Sequence, residues 1–280
     1  MKQNVKRLPY GINDFEAVIE QNQYYVDKTM YLPLLENQPS NIIFIRPRRF
    51  GKSIFLSMLH AYYDCSKKEK FQTLFGDLWV GKHPTPLQGR YQVLHLDFSY
   101  VGGSIDKLEE NFDIYMRVKL DGFMRVYQEF YPADIKEKFF KSDSATEKLA
   151  LLQDETAAKS IPLYLIIDEY DNFTNTVLNE QGENVYWAIT HADGFYRDVL
   201  KKFKGMFERI FITGVSPVTL DDVTSGFNIG WHISTKPEFN QMLGFSMEEV
   251  RKMFAYYKEV GGIPATSDIE VMIDEMKPWY

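Results

Sequence analysis

The chain has 280 residues, a formal net charge of -7 and a pI near 5.4. Its 45% hydrophobic and 15% aromatic content excludes a disordered chain and is enough to bury the core of one large domain, or a domain and a half. The acidic balance counts against direct, non-specific nucleic-acid binding, which takes many cations to neutralise phosphates. The one cysteine, Cys65, excludes an intramolecular disulfide framework and a cysteine-based zinc site. The start "MKQNVKRLPYGIND" has no apolar segment of the kind a signal peptide needs. No run approaches the roughly 18 apolar residues of a membrane helix. The expectation is a soluble, cytoplasmic protein.

Four segments read as strands buried on both faces, because they are nearly continuous apolar runs rather than alternating ones. In chain order they are "NIIFIR" (41–46), "YQVLHLDF" (91–98), "PLYLIIDEY" (162–170) and "ERIFITGV" (208–215). Helical stretches fall between them at 52–64, about 105–130, about 145–159 and about 184–204. The third could be a linker by composition, but Leu149, Leu151 and Leu152 favour a surface helix. The fourth has a basic last turn before Gly205, which reads as a helix stop. Strand and helix in alternation predict an α/β fold with a central, mostly parallel sheet flanked by helices. After "STKPEF" (234–239) the character changes. Ser246 followed by Glu249 is a capping box, the pair Gly261 and Gly262 ends that helix, and a second helix covers about 267–277. The chain therefore divides into an N-terminal segment (1–40) packing on a core (41–240), with a small helical appendage (241–280).

Ligands on such sheets bind beyond the C-terminal ends of the strands. Residues 46–53, 97–99, 168–171 and 213–216 all fall there. The first of these groups is a local basic cluster, Arg46, Arg48, Arg49 and Lys52, on an acidic chain, and it calls for a local anion. A phosphate-binding loop needs a strand-to-helix turn whose amides face the phosphate, a lysine for the terminal oxygens and a hydroxyl for Mg2+. Arg46, Arg48, Arg49, Phe50, Gly51, Lys52, Ser53 and Ile54 supply these in order, and the following helix adds its partial positive N-terminus. The departure is Arg46-Pro47, where the usual pattern starts with glycine. Proline removes one amide donor, and Arg48 or Arg49 could compensate by forking onto a phosphate. A basic turn that ends in Gly-Lys-Ser by chance is the plain alternative, and the strand and helix around it count against that.

"LYLIIDEYD" ends a buried strand in Asp168 and Glu169. With Ser53, Asp168 can hold Mg2+, and Glu169 is placed to polarise an attacking water. Both motifs together indicate a nucleotide site. A further strand between them fits the P-loop ATPases that carry such a glutamate. On "ITGVSP", Thr213 and Ser216 are candidates to sense a terminal phosphate, and an ordinary strand-end turn explains them equally well. Asp97 reads as a structural cap. The histidines, His191 and His232 included, show no metal spacing.

Six blocks in this order resemble a known family, the bacterial AAA-ATPase-like predicted P-loop ATPases. They are "YYVDKTMYL" (24–32), "FIRPRRFGKS" (44–53), "VLHLDFS" (93–99), "LIIDEYD" (165–171), "FITGVSPVTLDDVTSGFNI" (211–229) and "MLGFS" (242–246). The resemblance implies a P-loop NTPase that uses ATP and Mg2+, with catalytic roles for Lys52, Glu169 and Thr213, and it makes Arg46 the family's own form of the loop. It makes Tyr25, Asp27 and Lys28 candidates for nucleotide or interdomain contacts, and Asp221, Asp222 and Ser225 candidates for a phosphate-responsive loop. Members often carry a C-terminal nuclease-like domain, and "MKPWY" is similar to the start of a family block cut in the middle. The resemblance thus implies an ATPase module serving that domain as partner. A homo-oligomer, with Arg48 acting across a subunit interface, stands beside a monomer in which it acts in cis. Two other readings are a nucleotide-binding scaffold without turnover and the ATPase half of a nucleic-acid-processing protein.

Overall fold

The computed structural model describes residues 5–190, 195–216 and 230–277. Its sheet is built from β1 (Asn41–Ile45), β2 (Gln92–Asp97), β3 (Leu163–Asp168), β4 (Arg209–Gly214) and β5 (Trp231–His232). The spatial order is β2-β3-β4-β1-β5, and every pairing is parallel. The four long strands lie within one or two residues of where their apolar runs predict them. β4 lies between β1 and β3, so the strand entering the basic loop and the strand ending in acids are separated by one neighbour; the strand that falls between them in the sequence, β2, lies instead at the sheet edge beside β3. β5 has no counterpart in the sequence analysis. It is two exposed residues on the sheet edge, paired with Ile42 and Ile43, too short to form an apolar run.

Alternate residues along each strand face opposite layers. Leu163, Leu165 and Ile167 of β3, with Ile210 and Ile212 of β4, pack under the helices Leu108–Val126, Ala145–Lys159 and Phe195–Met206. Tyr164 and Ile166, with Phe211 and Phe44, pack against Phe15–Glu20, Lys52–Tyr63 and Phe71–Phe75. Two helical layers therefore sandwich the sheet. By the same parity, Asp168 and Thr213 leave their strands on the side of the Lys52–Tyr63 helix, and Gly214 leaves on the other.

The segment 145–159 is a helix with Leu149 and Leu152 buried and Ser144 as its cap, so it is not a linker. The helical stretch placed at about 184–204 is helical over its described residues, and a helix before it, Asn172–Gln181, was not foreseen. Helices run Asn172–Gln181, Glu183–Thr190 and Phe195–Met206, with Gly182 at φ +83 between the first two. The last continues through Gly205 to Met206, because buried Phe207 pulls the chain down onto Phe203 and the core. The capping box at Ser246 forms as its spacing predicts. Among the described residues no helix is long and apolar enough to cross a membrane.

The block "YYVDKT" ties distant segments together. One Asp27 oxygen accepts from the Thr29 amide (2.8 Å) and hydroxyl (2.7 Å), and the other accepts from the Trp79 amide (2.6 Å). The buried Lys28 ammonium donates to the Gln241 carbonyl (2.7 Å) and to Glu249 (2.6 Å), the glutamate of the capping box. Tyr25 sits edge-on to the core ring of Phe15. Replacing Lys28 with alanine strands a carboxylate and a carbonyl together, and charged hydrogen bonds of this kind are worth about 1.5–3 kcal/mol. Lys28→Ala is expected to lower stability by that amount in urea unfolding, with the far-ultraviolet spectrum of the folded protein unchanged.

Candidate functional site

The end of β1 turns through residues 46–51 into the helix Lys52–Tyr63. The turn places two residues in the left-handed region, Arg49 at φ +69 and Gly51 at φ +82. Gly51 is the residue type that tolerates this without a Cβ penalty. Lys52 is only 5% exposed. Its ammonium lies inside the turn and donates to the carbonyls of Arg46 and Pro47, both at 3.2 Å. Those two carbonyls are weak partners for a full charge, and a phosphate oxygen would replace them at a gain. The first amides of the helix Lys52–Tyr63 have no acceptor within the helix and no side-chain cap, so the turn presents donors and a buried cation together.

Ser53, one residue into the helix, donates its hydroxyl to Asp168 Oδ2 at 2.6 Å. Asp168 Oδ1 accepts from the Thr213 hydroxyl at 2.7 Å and from the Glu169 amide at 2.9 Å. Asp168 is 2% exposed, and these three donors keep its buried carboxylate satisfied. The serine hydroxyl and this carboxylate form the oxygen pair that a hard divalent cation takes when it keeps most of its waters. The donor set therefore fits Mg2+, with Ser53 and Asp168 as the residues that would hold it. Thr213 is placed on Asp168, where it fixes that carboxylate.

Glu169 follows at φ +50. Burial pushes its carboxyl above the ordinary range, and the neighbouring Asp168 adds to the shift, while Lys52 and Arg48 oppose it. Adjacent residues in a strand face opposite layers, and the left-handed turn at Glu169 is what breaks that alternation.

The three arginines have different surroundings. Arg46 donates through its guanidinium to the carbonyls of Ile45 (3.0 Å) and Ser234 (2.8 Å), and lies 4.4 Å over the Phe44 ring. Its amide holds Gly214, so it joins β1, β4 and the segment after β5. Arg48 and Arg49 are exposed. With Pro47 fixing the direction of the loop, one arginine is expected to pair with an acid such as Asp168 or Asp171; no such pair forms among the described residues, and the two carboxylates are taken by hydroxyls and amides instead. Phe50 lends its carbonyl to the Gly244 amide at 3.0 Å, and Ile54 packs on the core of its layer. Asp97 caps the turn after β2 by accepting from the Ser99 amide. Asp221, Asp222, Ser225 and His191 lie outside the described residues.

Sequence reasoning missed two contributors. Ser234 accepts twice, through its carbonyl from the Arg46 guanidinium and through its hydroxyl oxygen from the Ile45 amide, and nothing in its polar loop marks it. Asp171 holds the end of β4, and its only signal is a third acid two residues after Glu169.

A parallel α/β sheet with this turn at one strand end and an acidic pair two strands away defines a protein of the P-loop type. Within that class, the model of the family described as predicted AAA-ATPase matches residues 9–224, and the chain belongs to that family. It is also 24% identical to an uncharacterized protein in the vnfD 5′ region of Azotobacter chroococcum mcd 1. That alignment covers 98% of this chain and 48% of the relative, so the chain spans about half the length of the curated relative it matches.

The arginine geometry has a direct test. Arg46→Ala removes two hydrogen bonds from a charged group and a ring contact, and is expected to lower stability by about 1.5–3 kcal/mol in denaturant unfolding. Arg48→Ala, at an exposed position, is expected to stay within about 0.5 kcal/mol of the parent.

Proposed function

We propose that the chain binds ATP with Mg2+ and hydrolyses it slowly, as the regulatory ATPase module of a longer protein. The observation that carries this is the 2.6 Å contact between Ser53 and Asp168, beside a buried Lys52 held inside the amide-lined turn. Membership of the predicted AAA-ATPase family supports it.

In this reading the amides of the turn and Lys52 hold the β and γ phosphates, with Arg48 and Arg49 at the rim. Ser53 and Asp168 hold Mg2+, which neutralises charge on the phosphates when bound. Glu169 accepts a hydrogen bond from the attacking water and draws off its proton. Burial favours the protonated acid and raises the carboxyl's proton affinity toward that needed in a base. The chain covers about half of its relative, and we assign the remainder of the full-length protein the role of effector, a C-terminal nuclease-like domain being the candidate partner.

Lys52→Ala is expected to abolish measurable Mg2+–ATP binding in calorimetry, and unchanged affinity in the folded variant would remove the assignment. Glu169→Gln keeps size and removes basicity. It is expected to retain affinity and lose turnover by roughly 10²–10⁴-fold, the usual range for a general base. Asp168→Asn is expected to weaken Mg2+-dependent binding itself. The base works deprotonated and its folded pKa is raised. Turnover is therefore expected to fall as pH drops through a value above the ordinary carboxylate range, and Glu169→Gln should lose that limb. Phosphate release followed over hours against a Lys52→Ala blank is the measurement. A wild type no faster than the blank, with nucleotide tightly bound, is the result for a scaffold.

A further inference from the structure

Asp171 is 1% exposed and stands at the cap position of the helix Asn172–Gln181, where an aspartate ordinarily accepts from the helix's own first amides. It makes no such bond. Its carboxylate reaches across to β4 instead, accepting from the amides of Val215 (3.1 and 3.2 Å to its two oxygens) and Ser216 (2.6 Å), with the Asn175 side chain at 3.0 Å. The residue before it completes the grip. The Tyr170 amide donates to the Thr213 carbonyl at 3.1 Å, its hydroxyl donates to the Ser216 carbonyl, and its own carbonyl accepts from Tyr196 at 2.7 Å.

These contacts bracket Glu169. On its N-terminal side, Asp168 is fixed by Ser53 and Thr213; on its C-terminal side, Tyr170 and Asp171 are fixed to residues 213–216. Between them Glu169 is held at φ +50, a conformation disfavoured for a residue with a Cβ that persists only where the surroundings impose it. In an extended conformation the glutamate would follow strand parity into the layer opposite Asp168. The left-handed turn takes it out of that parity.

We infer that Asp171 is a positioning residue for Glu169, clamping the end of β3 to the end of β4 so that the glutamate is held in its left-handed turn on the loop side of the sheet. The inference rests on the reading of Glu169 as the group that polarises the attacking water. Gly214 belongs to the same device. A Cβ there would come 2.3 Å from the Tyr170 ring and 2.6 Å from Asp171 Oδ1, so only glycine lets the clamp close.

Two variants address it from opposite sides. Asp171→Asn turns a donor toward the amides of Val215 and Ser216, and Gly214→Ala pushes the clamp away without altering Asp171. Displacing a reacting group by about 1 Å costs on the order of 10²-fold in rate. Both variants are therefore expected to lower kcat for phosphate release by about that factor, with Mg2+–ATP affinity in calorimetry unchanged. Amide hydrogen exchange is expected to speed up at Val215 and Ser216 in both. A parallel fall of kcat, affinity and Tm would reduce Asp171 to a structural residue and overturn the inference, as would full turnover in a variant whose Val215 and Ser216 amides exchange faster. Unchanged exchange and unchanged turnover in both variants would overturn it too. If Asp171→Asn does not fold, Gly214→Ala decides by the same criteria. A wild type at the Lys52→Ala blank is a different failure: hydrolysis itself is then wrong, and the inference falls with it before any clamp variant is compared.

Discussion

The carboxylate of Asp168 is the joint on which the site depends. It is buried, it sits at the end of β3, and it accepts from the helix after β1, from β4 and from the amide of its own successor. A buried charge without partners is costly enough that it would take up a proton or draw in water. Three donors remove that cost and, in doing so, fix three elements relative to one another. The basic turn is therefore held in register with the acidic strand although β4 lies between β1 and β3. The site is a property of the sheet order, because only a strand placed between the two can present Thr213 to Asp168.

The missing first glycine of the loop is explained by where the turn puts its unusual backbone angles. Left-handed conformations fall at Arg49 and Gly51, and residue 46 is not among them. Glycine at position 46 would confer a freedom that this path does not use. An arginine there can do what glycine cannot: its guanidinium bridges to Ser234 and stacks on Phe44, while its carbonyl holds Lys52. Pro47 gives up an amide, but its carbonyl is the second partner of Lys52. The cost moves to Arg49, where a residue with a Cβ accepts an angle that glycine would take more easily.

Most of the fold was legible because its strongest signal is burial on both faces. Leu163, Leu165 and Ile167 enter one layer while Tyr164 and Ile166 enter the other, so no polar residue interrupts the run and the strand is plain in the sequence. The same reasoning placed Asp168 at a strand end. It also put Glu169 beside it, but not the residue's left-handed turn, because the contacts that bracket that turn span 44 to 45 residues, Asp171 reaching the amides of Val215 and Ser216. β5 was illegible for the opposite reason: two exposed edge residues carry no periodicity. The helix Asn172–Gln181 was missed because it is too polar to stand out beside the acidic motif.

The sequence blocks that carry the family resemblance lie far apart in the chain, and the structure gives a physical reason for their occurring together. Five of them form an unbroken chain of contacts around the turn. Lys28 reaches Glu249 and Gln241. The Glu249 side chain also accepts from the Ser246 amide, two residues beyond Gly244, whose own amide holds the Phe50 carbonyl within the turn. Ser53 holds Asp168, and Asp168 accepts from Thr213. Gly244 takes φ +75 to make its contact, which gives the glycine of "MLGFS" a conformational reason of its own. The shape of the turn is thus a joint property of the N-terminal block, β1, β3, β4 and the start of the helix Met247–Glu259. A change in any one of them alters the surroundings of Lys52 without touching the Gly-Lys-Ser sequence.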